Sequence, residues 1–82
     1  MRCRFVNKIF QSEENGFTVA VYSTHDESVP LFARNKYLES KNIIGFTAVG
    51  YNLPLTNTIE LEMEGDWENG SNGMQLKVDA FM

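Results

Sequence analysis

The chain has 82 residues, of which 43% are hydrophobic and 22% are charged, and its formal net charge is −4. This length accommodates one small domain, and the composition excludes a disordered chain as the default expectation. The negative charge argues against strong nonspecific nucleic-acid binding, because such binding depends on lysine and arginine side chains that neutralise phosphates. The charge is unevenly distributed, with six basic and five acidic residues in positions 1–41 but only one basic and six acidic residues in positions 42–82.

The cysteine content and the hydropathy of the sequence indicate the cellular compartment of the protein. The single Cys3 cannot form an internal disulfide, and no group of Cys and His residues has metal-ligand spacing. No apolar run approaches the roughly 18 residues that a membrane span needs, and residues 1–8 lack the apolar stretch of a signal peptide. We therefore expect a cytoplasmic protein with no membrane partner.

The first predicted strand covers residues 2–10. Cys3 and Phe5 alternate with charged residues, which is the period-2 pattern of a half-buried strand. Val6 and Asn7 then break the alternation, as a β-bulge would. Cys3 is expected to be a small buried apolar residue rather than a reactive thiol.

A turn and a second strand follow. Asn15 and Gly16 both tolerate positive φ and predict a hairpin turn into strand two, residues 17–24. The alternation of strand two predicts a core face of Phe17, Val19 and Val21 and an outward face of Thr18, Ala20 and Tyr22.

Residues 25–42 interrupt the strand pattern. Within them, residues 30–40 predict a short helix with Pro30 near its first turn. Strand three is predicted over residues 43–51, where two glycines indicate bends or close approaches of another backbone.

The last third of the chain predicts a hairpin. A connection over residues 52–58, which contains a proline, leads into strand four, residues 59–65. A Gly-rich turn over residues 69–73 then leads into strand five, residues 74–81. Apolar and polar residues alternate in both strands, so one face meets a core and the other meets water.

Five strands curved by glycines and bulges are too few for two stacked sheets. They favour a small closed barrel, which has no edge strands. The prediction is an all-β, five-stranded OB-like barrel with a short helix or loop insertion between strands two and three. The connection between strands three and four is too short for the helix that OB barrels usually carry there, so an SH3-like barrel is the alternative.

Three segments carry a resemblance to a known family. They are Asn15-Gly-Phe-Thr-Val19, Phe46-Thr-Ala-Val-Gly50 followed by Leu53-Pro54, and Glu64-Gly-Asp-Trp67 with Gly73-Met-Gln-Leu-Lys-Val78. In residue identity, order and spacing these segments resemble the N-terminal OB domain of RecD-like (RecD/TraA family) ATP-dependent DNA helicases. The resemblance covers most of the chain. Two departures are the longer segment 25–42 and the absence of the His and Pro often found after Trp67.

The resemblance implies that residues 1–82 are a single OB-like N-terminal domain excised from a longer helicase. It also implies that the parent moves 5′ to 3′ on single-stranded DNA and uses ATP and Mg²⁺ in a separate motor. No Gly-x-x-x-x-Gly-Lys-Ser/Thr loop is present here, so no cofactor and no catalysis are expected in this fragment. His25, the only histidine, has no nucleophile placed beside it by the sequence.

Basic residues interleaved with aromatic ones suit a single-stranded nucleic acid. Trp67, at the mouth of the loop between strands four and five, could stack a base or pack over the open end of the barrel. The basic strand residues could equally be ordinary outward side chains. The candidate DNA-binding residues are Arg4, Lys8, Tyr22, Arg34, Lys36, Lys41, Tyr51 and Trp67.

Acidic residues oppose that function at several places. Three glutamates of strand four share one face, Glu60, Glu62 and Glu64. Their pattern is typical of a solvated surface rather than a cation site. Lys77, across the hairpin, is expected to relieve part of their repulsion. Both loops that usually frame an OB binding groove are also acidic. They carry Glu13 and Glu14 in the first and Asp66 and Glu68 in the second.

Two hypotheses therefore remain. The domain is an accessory module that guides or weakly contacts single-stranded DNA, or it is an interaction barrel that docks on the remainder of the helicase chain or on a partner protein. The second hypothesis uses the apolar residues of the insertion, Leu31, Phe32, Tyr37 and Leu38, as anchors.

Overall fold

Five strands and two short helical turns make up the structure, a computed structural model that describes residues 1–71 and 73–82. Asn72, which the sequence places in the Gly-rich turn, lies outside the described residues. The strands are β1 (Arg2–Gln11), β2 (Phe17–Thr24), β3 (Ile44–Tyr51), β4 (Leu61–Gly70) and β5 (Gly73–Phe81). The helical segments are a 3₁₀ turn (Leu31–Ala33) and α1 (Lys36–Glu39).

The strands close into a barrel in the order β1-β2-β3-β5-β4, with β4 pairing back onto β1. All neighbouring strands are antiparallel except β3 and β5, which pair in parallel through Ala48 with Leu76 and Val49 with Lys77. Closure pairs both ends of the sheet, which explains how so few residues enclose a core. The predicted five-stranded barrel is confirmed.

Strand β1 bends where the sequence predicted it would. Its register against β2 shifts between Phe5 and Asn7 and again between Lys8 and Phe10. Each shift is a bulge, which increases the local twist and lets the strand follow the barrel wall. Cys3 is buried in the core, as predicted, and burial raises the pKa of its thiol to about 11.

The predicted faces of β2 are inverted. Thr18, Ala20 and Tyr22 are fully buried inside the barrel, whereas Phe17 and Val19 lie half-buried on the outside. Val21, the third predicted core residue, is buried, although it belongs to the same side of the strand as Phe17 and Val19. The interior of a small barrel is narrow, so it accepts small side chains beside one large one, and the larger apolar residues of β2 remain outside. Hydropathy did not distinguish the two faces because both carry apolar residues.

The insertion between β2 and β3 is helical in two pieces rather than one. Pro30 precedes the 3₁₀ turn, and Asn35 begins α1 by accepting a hydrogen bond from the Leu38 backbone N–H through its side chain at 2.9 Å. Leu38 is buried against β3, where a Cβ added to Gly45 would meet it at 2.2 Å. This contact fixes the insertion to the barrel.

Strand β4 extends five residues beyond the predicted end at Gly65. Its pairing with β5 continues to Gly70 opposite Gly73, so Trp67 lies within the strand and not in a loop. The polar residues after Gly65 read as a turn, but their backbone remains hydrogen-bonded to β5. Lys77 lies across the hairpin, as predicted, and pairs directly with Asp66 rather than with one of the three glutamates of strand four.

Candidate functional site

The outer surface of β2 and β3 is largely apolar. The two strands are in register, with Phe17 opposite Tyr51 and Val19 opposite Val49, and each opposed pair projects from the same side of the sheet. The rings of Phe17 and Tyr51 meet edge to face, with centroids 5.5 Å apart. Tyr51 is 61% exposed, so its ring is open to a ligand.

The neighbouring strands extend this surface on both sides. Phe10 of β1 lies opposite Val19 and is 52% exposed, and Lys77 of β5 lies beside Val49. Lys77 in turn lies opposite Asp66 of β4. We call this surface the outer face. Its exposed or half-buried residues are Phe10, Phe17, Val19, Thr47, Tyr51 and Lys77, and Val21 and Val49 on the same side of the sheet are buried.

Acidic side chains border the outer face. The turn between β1 and β2 exposes Glu13 and Glu14, and the Asn52 backbone N–H donates to the Gly16 carbonyl at 2.8 Å, which ties this turn to the end of β3. Asp66 lies on the opposite border beside Lys77. The outer face therefore presents aromatic rings with one cation between acidic borders.

Of the predicted site residues, Tyr22 belongs to the core and Trp67 packs against it. Tyr22 is fully buried, so the prediction that it faces outward is wrong, and its hydroxyl donates to the Pro54 carbonyl at 2.6 Å. Burial raises the pKa of Tyr22 to about 12, which keeps this donor protonated. Trp67 is half-buried and packs edge-on against Phe46, with centroids 5.7 Å apart. Trp67 therefore packs on the barrel, and base stacking by its half-buried ring stays a prediction.

The basic candidates of β1 lie away from the aromatic rings. Arg4 pairs with Ser23 near the far end of β2, and its guanidinium donates to the Asn57 carbonyl at 3.2 Å. Lys8 is exposed but pairs with Ala20, whose side chain points into the barrel. Neither Arg4 nor Lys8 is paired with a residue of the outer face.

The basic residues of the insertion form a separate group. Arg34 donates to the backbone carbonyls of Val29 and Glu27 at 3.1 and 2.9 Å, which holds the loop together and occupies its guanidinium. Lys36 and Lys41 are exposed, and the Lys41 ammonium lies 5.2 Å from the centroid of the Tyr37 ring. The insertion comes directly before β3, whereas Tyr51 is the last residue of β3. About 23 Å of strand therefore separates the basic residues of the insertion from Tyr51.

The three glutamates of strand four lie on a solvated surface, as predicted. All three are exposed, and Arg2 contacts two of them, with a nitrogen 3.6 Å from Glu60 and another 3.8 Å from Glu62. The amino terminus also forms an ion pair with Glu62. Arg2 and the amino terminus therefore offset part of the repulsion among the glutamates. Exposed ion pairs of this kind contribute little to stability.

An open cleft of about 670 Å³ lies where β1 and β4 meet the insertion, with His25, Cys3 and Ser23 on its walls. In the described part of the chain His25 forms no hydrogen bond with either of the other two side chains. Among residues 1–71 and 73–82, no three His, Cys, Asp or Glu side chains converge as metal ligands. No helix in the same residues is long and apolar enough to cross a membrane.

The comparison with protein families identifies the barrel. A family model for the OB-fold domain of the ATP-dependent DNA helicase YrrC matches residues 1–82. The chain belongs to this family. The YrrC match covers the full barrel and agrees with the resemblance to helicase OB domains. No curated protein and no solved structure matches the chain significantly.

Membership in the YrrC OB-fold family makes the outer face the first place to look for a ligand, because OB barrels bind oligonucleotides on strands two and three. Sequence reasoning found Tyr51 there but missed Phe10, Phe17 and Lys77. Phe17 was assigned to the core by the inverted phase of β2. Phe10 and Lys77 join the surface only through strand pairing, which the sequence does not specify.

Proposed function

We propose that this domain is an accessory module of its parent helicase that holds single-stranded DNA weakly on the outer face. The observation that carries the proposal is the exposed ring of Tyr51, set edge-on to Phe17 on the surface that OB barrels use for oligonucleotides. Aromatic side chains stack bases without sequence preference, at about 1–3 kcal/mol per base. ATP and Mg²⁺ would act in the parent's motor, outside this chain.

The charges of the outer face set the expected strength and salt dependence. Lys77 is the cation within it, and Glu13, Glu14 and Asp66 border it. We expect a dissociation constant on the order of 10⁻⁴ M for oligo-dT, at the weak end of nonspecific binding. Stacking rather than phosphate neutralisation supplies the affinity, so log K should fall with log salt at a slope of about −1 or shallower.

A titration of the 82-residue domain with oligo-dT at low salt, followed by fluorescence anisotropy, tests the proposal. Tyr51→Ala should weaken binding at least about fivefold, the equivalent of losing one stacked base. Tyr37→Ala is the matched control, since Tyr37 is 68% exposed but lies on the insertion. Equal binding by wild type and Tyr51→Ala, or weaker binding only by Tyr37→Ala, would exclude the outer face as the DNA-binding surface.

A second candidate function is docking on the remainder of the helicase chain or on a partner protein through the insertion. Three large side chains there, Leu31, Phe32 and Tyr37, are each more than two-thirds exposed and lie on neighbouring turns. Apolar and aromatic residues exposed together are typical of the centre of a protein interface. Leu38, the fourth predicted anchor, is buried against the barrel and is not available for docking.

Mixing the isotope-labelled domain with the separately expressed remainder of the helicase tests this candidate. The amide signals of residues 31–43 should shift on mixing, and Phe32→Ser should weaken the association at least about tenfold, as loss of a central aromatic anchor does. Phe10→Ser, on the outer face, is the control and should leave the association unchanged. Shifts that spare residues 31–43 would exclude this surface.

A further inference from the structure

Strand β1 pairs with neighbouring strands on both sides only at its first residues. On one side it pairs with β2 from Cys3 to Gln11. On the other side, within the residues that the structure describes, β4 pairs with it only at Arg2 and Cys3. A strand edge without a neighbour presents backbone donors and acceptors that another extended chain can bind.

The part of this edge beyond the closure is exposed and partly apolar. We call residues 6–11 the open edge, and all six are exposed, including Val6, Ile9 and Phe10. Val6 and Ile9 are the two bulge residues that have no Cα partner on β2. The bulges bend the edge, so a flexible segment can follow it more readily than a preformed flat strand can.

Charge restricts the chemistry of the partner. Lys8 is the one charged residue of the open edge, and Arg2 before it already contacts Glu60 and Glu62. Pairing of the open edge with the same edge of a second copy would bring two Lys8 side chains close together, which is unfavourable. An acidic segment would be attracted to the edge.

We propose that the open edge binds an extended polypeptide segment of alternating acidic and apolar residues, which joins the barrel as an added strand beside β1. Backbone hydrogen bonds to residues 6–11 supply the affinity, and contacts with Val6 and Ile9 fix the register of the segment. Its carboxylates lie near Lys8. This binding is independent of DNA on the outer face, so either can fail alone.

The probe is a synthetic capped hexapeptide of alternating Glu and Val, added to the isotope-labelled domain. Hydrogen exchange of those amides in residues 6–11 that do not already donate to β2 should slow at least about tenfold at saturation, because an added strand protects the edge. The same peptide with every backbone nitrogen methylated cannot donate these hydrogen bonds and should bind at least about tenfold more weakly. A peptide with Lys in place of Glu should also bind more weakly.

Variants separate the open edge from other basic sites. Lys8→Glu, at an exposed position, should weaken binding of the acidic peptide about three- to tenfold. Lys36→Glu is the matched control in the insertion, and Tyr51→Ala is the control for the outer face; both should bind the peptide as wild type does. Unchanged exchange in residues 6–11, equal binding of the methylated peptide, or protection of these residues by oligo-dT instead would overturn the proposal.

Discussion

At the scale of single residues, Tyr22 shows how the barrel satisfies a polar group in its core. Its ring packs between Phe5 and Phe46, with centroids 5.9 and 6.3 Å away, and its hydroxyl reaches the Pro54 carbonyl. A partly buried carbonyl that loses its donor costs free energy when its desolvation is no longer compensated by the hydrogen bond. The connection between β3 and β4 is thus fastened to the barrel from the inside.

Tyr22→Phe removes this hydroxyl while keeping the ring. We expect the free energy of unfolding to fall by about 1–2 kcal/mol, because the Pro54 carbonyl is left without its partner. Urea denaturation measures the change. Tyr37→Phe, at an exposed ring, should stay within about 0.5 kcal/mol of wild type. Equal stability of the two variants would mean that the Tyr22 hydrogen bond contributes nothing to the fold.

At the scale of elements, the contact between β4 and β5 depends on a residue without a side chain. The register shifts between Glu64 and Gly65, and a Cβ added to Gly65 would lie 2.0 Å from the Lys77 carbonyl oxygen. Backbone cannot yield as a flexible side chain can, so any larger residue must separate the strands. Trp67 is in phase with the buried Leu61 and Met63 of the same strand and packs against Phe46.

Gly65→Ala should therefore lower the free energy of unfolding by about 1–3 kcal/mol, the usual cost of forcing an atom into a packed site. Glu64→Ala, on the exposed side of the same strand, serves as the control and should change stability by less than about 0.5 kcal/mol. Thermal or urea unfolding of both variants provides the comparison. A Gly65→Ala protein as stable as wild type would show that the strands separate at no cost.

The elements also show what the sequence could predict. The number of strands, the bulge after Phe5 and the exposure of the strand-four glutamates follow from local patterns and were confirmed. The phase of β2 could not be predicted, because both of its faces are apolar and only the narrow interior decides which side chains enter. The extent of β4 and the position of Trp67 depend on pairing with β5, which residue patterns do not encode.

The candidate site was predictable only in part for the same reason. Tyr51 could be found as an aromatic residue at the end of a strand, but Phe10 and Lys77 are far apart in sequence and become neighbours through Val19 and Val49. The basic residues that composition favoured lie elsewhere. Arg34 is occupied by two backbone carbonyls, which no spacing rule reveals.

At the scale of the whole molecule, the barrel presents chemically different surfaces in different places. The outer face carries aromatic rings near the acidic turn between β1 and β2, whereas the insertion carries apolar residues with Lys36 and Lys41 at the other end of β3. The proposed DNA contact and the proposed protein contact use separate surfaces, so the two could be made at the same time. A net charge of −4 favours weak rather than strong DNA binding.

We propose that the outer face, and not the insertion, contacts single-stranded DNA. Amide chemical-shift mapping of the 82-residue domain with oligo-dT at low salt tests this contact. We expect the largest shifts at Phe10, Phe17 and Tyr51 and no change at residues 31–43. Shifts confined to residues 31–43, or no shifts at any DNA concentration, would contradict it.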